Sequence, residues 1–100
     1  MILAVANKQW TFLSNHARVL IQVSQKPDAL LAELAQLLGV SLRAVQGIVA
    51  DLERDDFIEV VKNGRRNHYQ IKEQAHFRHP LESDHEIRQL LEIFRGDSQS

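Results

Sequence analysis

One hundred residues, 44% hydrophobic and 25% charged, suffice for one small domain with a modest core. Without cysteine the chain builds neither a disulfide framework nor a thiolate metal site, and no apolar run reaches membrane-spanning length. The formal charge of −1 is not the basic balance of a nucleic-acid binder as a whole, so an anionic partner would have to meet a local positive patch.

Residues 1–13 read as an N-terminal extension. Met1-Ile2-Leu3-Ala4-Val5-Ala6 is short and lacks the basic start of a signal peptide, so the expected location is the cytoplasm. Ser14 is an N-cap for a helix running to about Gln25, with Ala17, Leu20, Ile21 and Ser24 on one face. Pro27-Asp28 breaks that helix and leads into the next near Leu31.

The stretch LAELAQLLGVSLRAVQGIVADL then carries Ala35, Gly39 and Val45 four and six residues apart. Ala35 is small enough for a helix crossing, and Gly39 can take positive φ and end the helix in a tight turn. Val45 opens the buried stripe of a second helix, continued by Ile48, Val49 and Leu52 at i+3, i+4 and i+7. Two helices joined this way commonly lay the second in the major groove of DNA.

Ser41 caps that second helix, which is expected over residues 41–55. At about 100° per residue, Arg43, Gln46, Gly47, Ala50 and Arg54 fall almost opposite its apolar stripe. Arg pairs with a guanine edge and Gln with an adenine edge, while Gly and Ala let the helix backbone come close to DNA. The contrary reading is an ordinary solvated helix face, with Gly47 accommodating a packed neighbour.

A hairpin follows. Residues 57–62 form a β-branched strand, Asn63-Gly64 suits a type I′ turn, and residues 65–72 form the return strand. A two-residue Asn63-Gly64 loop places Lys62 opposite Arg65 and Ile58 opposite Tyr69. The base is apolar and the tip carries Lys62, Arg65 and Arg66, with Asn67 beside them, as in a wing that touches phosphates or a minor groove. Residues 41–72 hold six cations against five acids, and those acids cluster between Asp51 and Glu59, away from the helix start and the hairpin tip.

Near the C-terminus, Ser83-Asp84-His85-Glu86 reads as a capping box and Ile87, Leu90, Leu91 and Phe94 as another apolar stripe, with Gly96 as a stop. This helix packs on its own domain or pairs with a second copy; the favoured expectation is a homodimer using it together with Trp10 and Phe12, since two such helix pairs related by a two-fold axis meet DNA half-sites about 34–36 Å apart. Trp10 and Phe12 as plain core residues are an equal alternative. His76, His79 and His85 lack ligand-like spacing to any acid, His16 reads as a hydrogen-bonded packing residue, and His68 as a solvent or phosphate contact. No metal, cofactor or catalytic residue is expected, because no nucleophile elbow, phosphate loop or dinucleotide fingerprint is present.

In WTFLSNHARVL (10–20), LGVSLRAVQGIVADLE (38–53), NGRRNHY (63–69) and RHPLE (78–82), the chain resembles the winged helix-turn-helix regulators of prokaryotes. The resemblance is to the broad MarR-type and ArsR-type class, and within it to a group of small stand-alone regulators. It implies a cytoplasmic, dimeric transcription regulator that binds double-stranded DNA, but no particular operator or signal. By position, the recognition helix covers residues 41–55, with Ser41, Leu42, Arg43, Gln46, Gly47 and Ala50 facing DNA. The wing tip covers residues 62–67, with Lys62, Asn63, Gly64, Arg65, Arg66 and Asn67. The missing cysteines depart from the metal-sensing branch of the ArsR type.

The expected fold class is therefore α+β, mainly α: a three-helix core plus β-hairpin wing over residues 14–72, a linker and added C-terminal helix over 73–96, and a polar tail over 97–100. A small-molecule effector would have to lodge between the flanking helices near Trp10. The alternative function is a winged-helix module that docks on another protein without binding DNA.

Overall fold

A computed structural model describes residues 10–95 of the chain. The expected features before Trp10, and Gly96 with the polar tail, lie outside the described residues. The described chain is α+β and mainly helical: α1 (Asn15–Gln25), α2 (Leu31–Leu38), α3 (Leu42–Arg54), β1 (Ile58–Asn63), β2 (Arg66–Ile71) and α4 (Ile87–Arg95). Among the described residues, no helix is long and apolar enough to cross a membrane.

Local signals place the first three helices. Ser14 Oγ accepts the Ala17 N–H at 3.2 Å and Ser41 Oγ accepts the Ala44 N–H at 3.0 Å, so each serine satisfies one of the donors that a helix start leaves open. Glu33 reaches back to accept the Leu30 N–H at 3.0 Å. At the end of α2, Gly39 sits at φ 72°; its N–H and that of Val40 donate to the Gln36 and Ala35 carbonyls at 3.3 and 3.1 Å. That is a Schellman closure, and it turns the chain sharply enough to start α3 three residues later.

The end of α3 repeats the device without glycine. Asp56 takes φ 67°, and the Phe57 N–H donates to the Leu52 carbonyl at 2.8 Å. Asp is among the few residues that tolerate the left-handed region.

One apolar cluster joins all the elements. Val45, Ile48, Val49 and Leu52 of α3 meet Leu20 and Ile21 of α1, Leu34 and Ala35 of α2, Ile58 and Tyr69 of the hairpin, and Ile87 and Leu91 of α4. In α1 the buried set also includes Val19 and Val23, off the face traced by Ala17, Leu20, Ile21 and Ser24. The helix is enclosed on more than one side, because α2, α3, β2 and α4 all pack on it.

The hairpin register departs from expectation by two residues. Asn63 pairs with Arg66, Lys62 with Asn67, Val60 with Tyr69 and Ile58 with Ile71, so the loop is Gly64-Arg65. Only Gly64 takes positive φ, at 69°, the pattern of a type II′ rather than a I′ turn. The Asn63-Gly64 loop would have set Lys62 opposite Arg65, and like charges directly across a ladder repel. A slip of two keeps each side chain on its face, so the apolar base of the hairpin survives the change. The outer edge of β2 is held by the α1–α2 connection, where the Tyr69 N–H donates to the Pro27 carbonyl at 2.8 Å.

The last helix starts later than a capping box at Ser83 would place it. Ser83 Oγ turns back to the Pro80 carbonyl, and Gln89 Oε1 accepts the Glu86 N–H at 3.0 Å. The N–H groups of Ile87 and Arg88 donate to the carbonyls of Ala75 and Glu73 at 2.8 and 2.9 Å. Preceding chain thus closes the open donors of α4, and the Arg95–Glu73 ion pair at 3.1 Å holds its other end to the same segment.

Candidate nucleic-acid interface

The outward face of α3 is bare over its first half. Ser41, Leu42, Arg43, Gln46, Gly47 and Ala50 are all exposed, and neither Arg43 nor Gln46 has a side-chain partner among the described residues. The Ser41 hydroxyl is already committed to its cap. Gly47 answers the contrary reading directly: a Cβ built on it would meet nothing within 4 Å, so no neighbour among the described residues requires a glycine. Its φ is ordinary for a helix, so the turn geometry does not require one either. A glycine inside an exposed helix costs about 1 kcal/mol relative to alanine. Gly47 thus carries a stability cost that nothing in its own chain explains.

The far end of α3 is different. His16 Nε2 lies 2.9 Å from Asp51 Oδ2, Arg54 donates to Asp51 Oδ1 at 3.1 Å and to Asp55 Oδ2 at 3.2 Å, and Arg78 donates to Asp55 Oδ2 at 2.7 Å. This network ties α1, α3 and the segment before α4. The His16 hydrogen bond chiefly lowers the Asp51 carboxyl below its usual range, and the Arg54 bond chiefly lowers that of Asp55. Arg54, expected on the outward stripe with Arg43 and Gln46, is thus engaged within the protein, and the same two carboxylates raise its guanidinium pKa, Asp55 first.

The hairpin tip divides in the same way. Lys62, Asn63, Gly64 and Arg65 are exposed, and Lys62 and Arg65 have no ion-pair partner among the described residues. Arg66 donates to the Asp28 carbonyl at 2.8 Å, with the Asp28 carboxylate 3.6 Å away. Asn67 is half-buried, its amide 3.4 Å from the Tyr69 hydroxyl. Sequence reasoning grouped the adjacent arginines as equals; Arg66 is a strut between the hairpin and the α1–α2 connection. Nothing local signals a contact 38 residues back along the chain.

The residues assigned to a subunit interface also separate. Ile87, Leu90 and Leu91 are buried within the single chain, and Phe94 is partly buried against the same cluster. The α4 stripe therefore packs in cis, because a core this small needs it as a fourth wall against α1. Trp10 and Phe12 are 74% and 88% exposed, which excludes the core alternative for them, and their rings meet edge-to-face at 4.8 Å.

The histidines of the 73–86 segment hold local structure. His76 Nδ1 lies 2.8 Å from the Ser83 carbonyl, and His79 Nδ1 accepts the Leu81 N–H at 3.0 Å. Among the described residues, no three His, Asp or Glu side chains are grouped as a metal ion would need. No protein-family description matches the chain, and neither does any curated protein.

Proposed function

We propose that the chain is a winged helix-turn-helix transcription regulator of the MarR-type and ArsR-type class that binds DNA as a homodimer. In this reading α3 is the recognition helix, with Arg43 and Gln46 on base edges and Gly47 and Ala50 against the groove wall. The β1–β2 hairpin is the wing, with Lys62 and Arg65 on phosphates and Arg66 holding the wing in place. Gly47 carries the proposal: a helix-interior glycine facing open space, next to Gln46 and one turn on from Arg43, suits the close approach of an outside surface. The exposed Trp10–Phe12 pair is the subunit contact in this reading, since the buried residues of α4 are already occupied. Occupancy of an operator would repress or activate, and the cytoplasm is where such a regulator works.

The net charge of −1 favours a second reading, a winged-helix module that docks on a protein. Titration of genomic fragments at several salt concentrations separates the two. DNA binding predicts saturable, salt-dependent affinity. Changing Lys62 and Arg65 together to Ala should flatten the log–log salt slope by about 1.8 per subunit. Gln46→Ala should change sequence preference with the slope kept. Failure to bind any fragment at low salt would discard the regulator in favour of the module.

A further inference from the structure

We infer that a cavity at the far end of α3 binds a small amphipathic amine, an apolar body of phenylalkyl size bearing one positive charge. The site is independent of the DNA reading. It is a hollow of about 350 Å³ between α1, the last turn of α3, the 73–86 segment and the start of α4, within the ordinary range for a small-molecule site. Leu20, Leu52, Phe57, Phe77, Ile87 and Leu90 supply its apolar wall. The cavity lies between the flanking helices, where an effector is expected, but Trp10 does not line it.

The rim decides the charge of the ligand. Its two guanidinium groups are both neutralised within the chain, Arg54 by Asp51 and Asp55, and Arg78 by Asp55. Glu82 also lines the cavity, and among the described residues its carboxylate has neither an ion pair nor a hydrogen bond. The lining also holds two imidazoles, His16 against Asp51 and His79, whose Nδ1 accepts the Leu81 N–H, so among the described residues Glu82 is the lining charged group left without a partner. A ligand covering the apolar wall removes water from beside that carboxylate, and a carboxylate losing water needs a positive partner. An ammonium group supplies one; a carboxylate ligand would add a second negative charge. Two sequence stretches that the interface on α3 leaves unused, those carrying His16 and RHPLE, both end on this rim.

The test titrates the ¹⁵N-labelled full chain with three compounds of matched shape, 3-phenylpropylamine, 3-phenylpropanol and 3-phenylpropionate. The amine should shift the amide signals of Ala17, Leu52, Phe77 and Glu82 and bind about fivefold tighter than the carboxylate, the upper range for an ion pair with an exposed carboxylate such as Glu82. Glu82→Gln should abolish the preference for the amine and leave the alcohol unchanged. Ala17→Leu, which adds bulk at a lining position, should weaken all three while circular dichroism and the melting temperature show the fold intact. Equal or tighter binding of the carboxylate would overturn the inference. So would saturation at other residues, no saturation by any of the three, or an amine preference that survives Glu82→Gln.

Discussion

The two ends of α3 treat polar side chains in opposite ways. At the last turn, Asp51, Arg54 and Asp55 are drawn into a network that reaches His16 on α1 and Arg78 before α4. Over the first half, Arg43 and Gln46 have no side-chain partner among the described residues, and Gly47 and Ala50 on the same face leave the backbone uncovered. Asp51 and Asp55 are half-buried by this network, whereas Arg43, Gln46, Gly47 and Ala50 are exposed to solvent. The polar side chains of the last turn serve to hold the fold; at the other end Arg43 and Gln46 make no hydrogen bond or ion pair among the described residues, and Gly47 weakens the helix. The hairpin repeats the division in neighbouring residues, with Arg66 tied to Asp28 and Arg65 left open. Unused polar groups on a rigid element are what an external partner requires.

The largest effect tests the inner side of the same helix. Leu52→Ala, at a site only 5% exposed, should cost about 2–5 kcal/mol in denaturant unfolding, while Gln46→Ala on the outer side should stay within about 0.5 kcal/mol. Similar losses at both positions would mean that the outer side is also part of the folded core.

A smaller effect separates the two arginines. Arg66→Ala should lower stability by about 1 kcal/mol through the lost bond to the Asp28 carbonyl, and Arg65→Ala should leave it unchanged within about 0.5 kcal/mol. Their effects on DNA binding should reverse, with Arg65→Ala removing about 0.9 from the salt slope and Arg66→Ala acting on affinity with less change in slope. Equal slopes for the two variants would show that Arg66 leaves Asp28 to meet phosphate.

The smallest effect is on pH dependence at the paired end. The Asp55 carboxyl is lowered from its ordinary 3.8, first by its bond to Arg54. A lowered carboxyl stabilises the fold fully above the ordinary value and loses that contribution as pH falls through the folded one. The melting temperatures of wild type and Asp55→Asn should therefore differ by a constant, small amount from pH 7 to about pH 4, and converge below it. A gap that widens on acidification would contradict the network.

Much of this was readable from the sequence where the cause is local. Ser14 and Ser41 cap within three residues, Gly39 needs only its own φ, and the stripe from Val45 to Leu52 follows the helical repeat. What escaped is set by contacts distant in sequence or by competition between near-equal local choices. Val19 and Val23 are buried because other elements surround α1, and the Arg66–Asp28 contact spans 38 residues. Asn63-Gly64 suits a type I′ loop, but the observed Gly64-Arg65 loop sets Lys62 opposite Asn67, avoiding the like-charge pair with Arg65. Ser83 reads as the start of α4, but the carbonyls of Glu73 and Ala75, more than ten residues before Ile87, fix a later one. The outward side of α3 was legible as a pattern, but the absence of any neighbour over Gly47 needed coordinates.

Gly47→Ala gives the most direct test, with thermal stability and affinity for a bound genomic fragment measured on the same preparation. The added methyl meets open space in the free protein and should raise stability by about 1 kcal/mol, yet it would stand between the helix and the groove and lower DNA affinity about tenfold or more. A variant that is more stable and binds DNA as tightly as wild type would contradict the placement of this helix side against DNA.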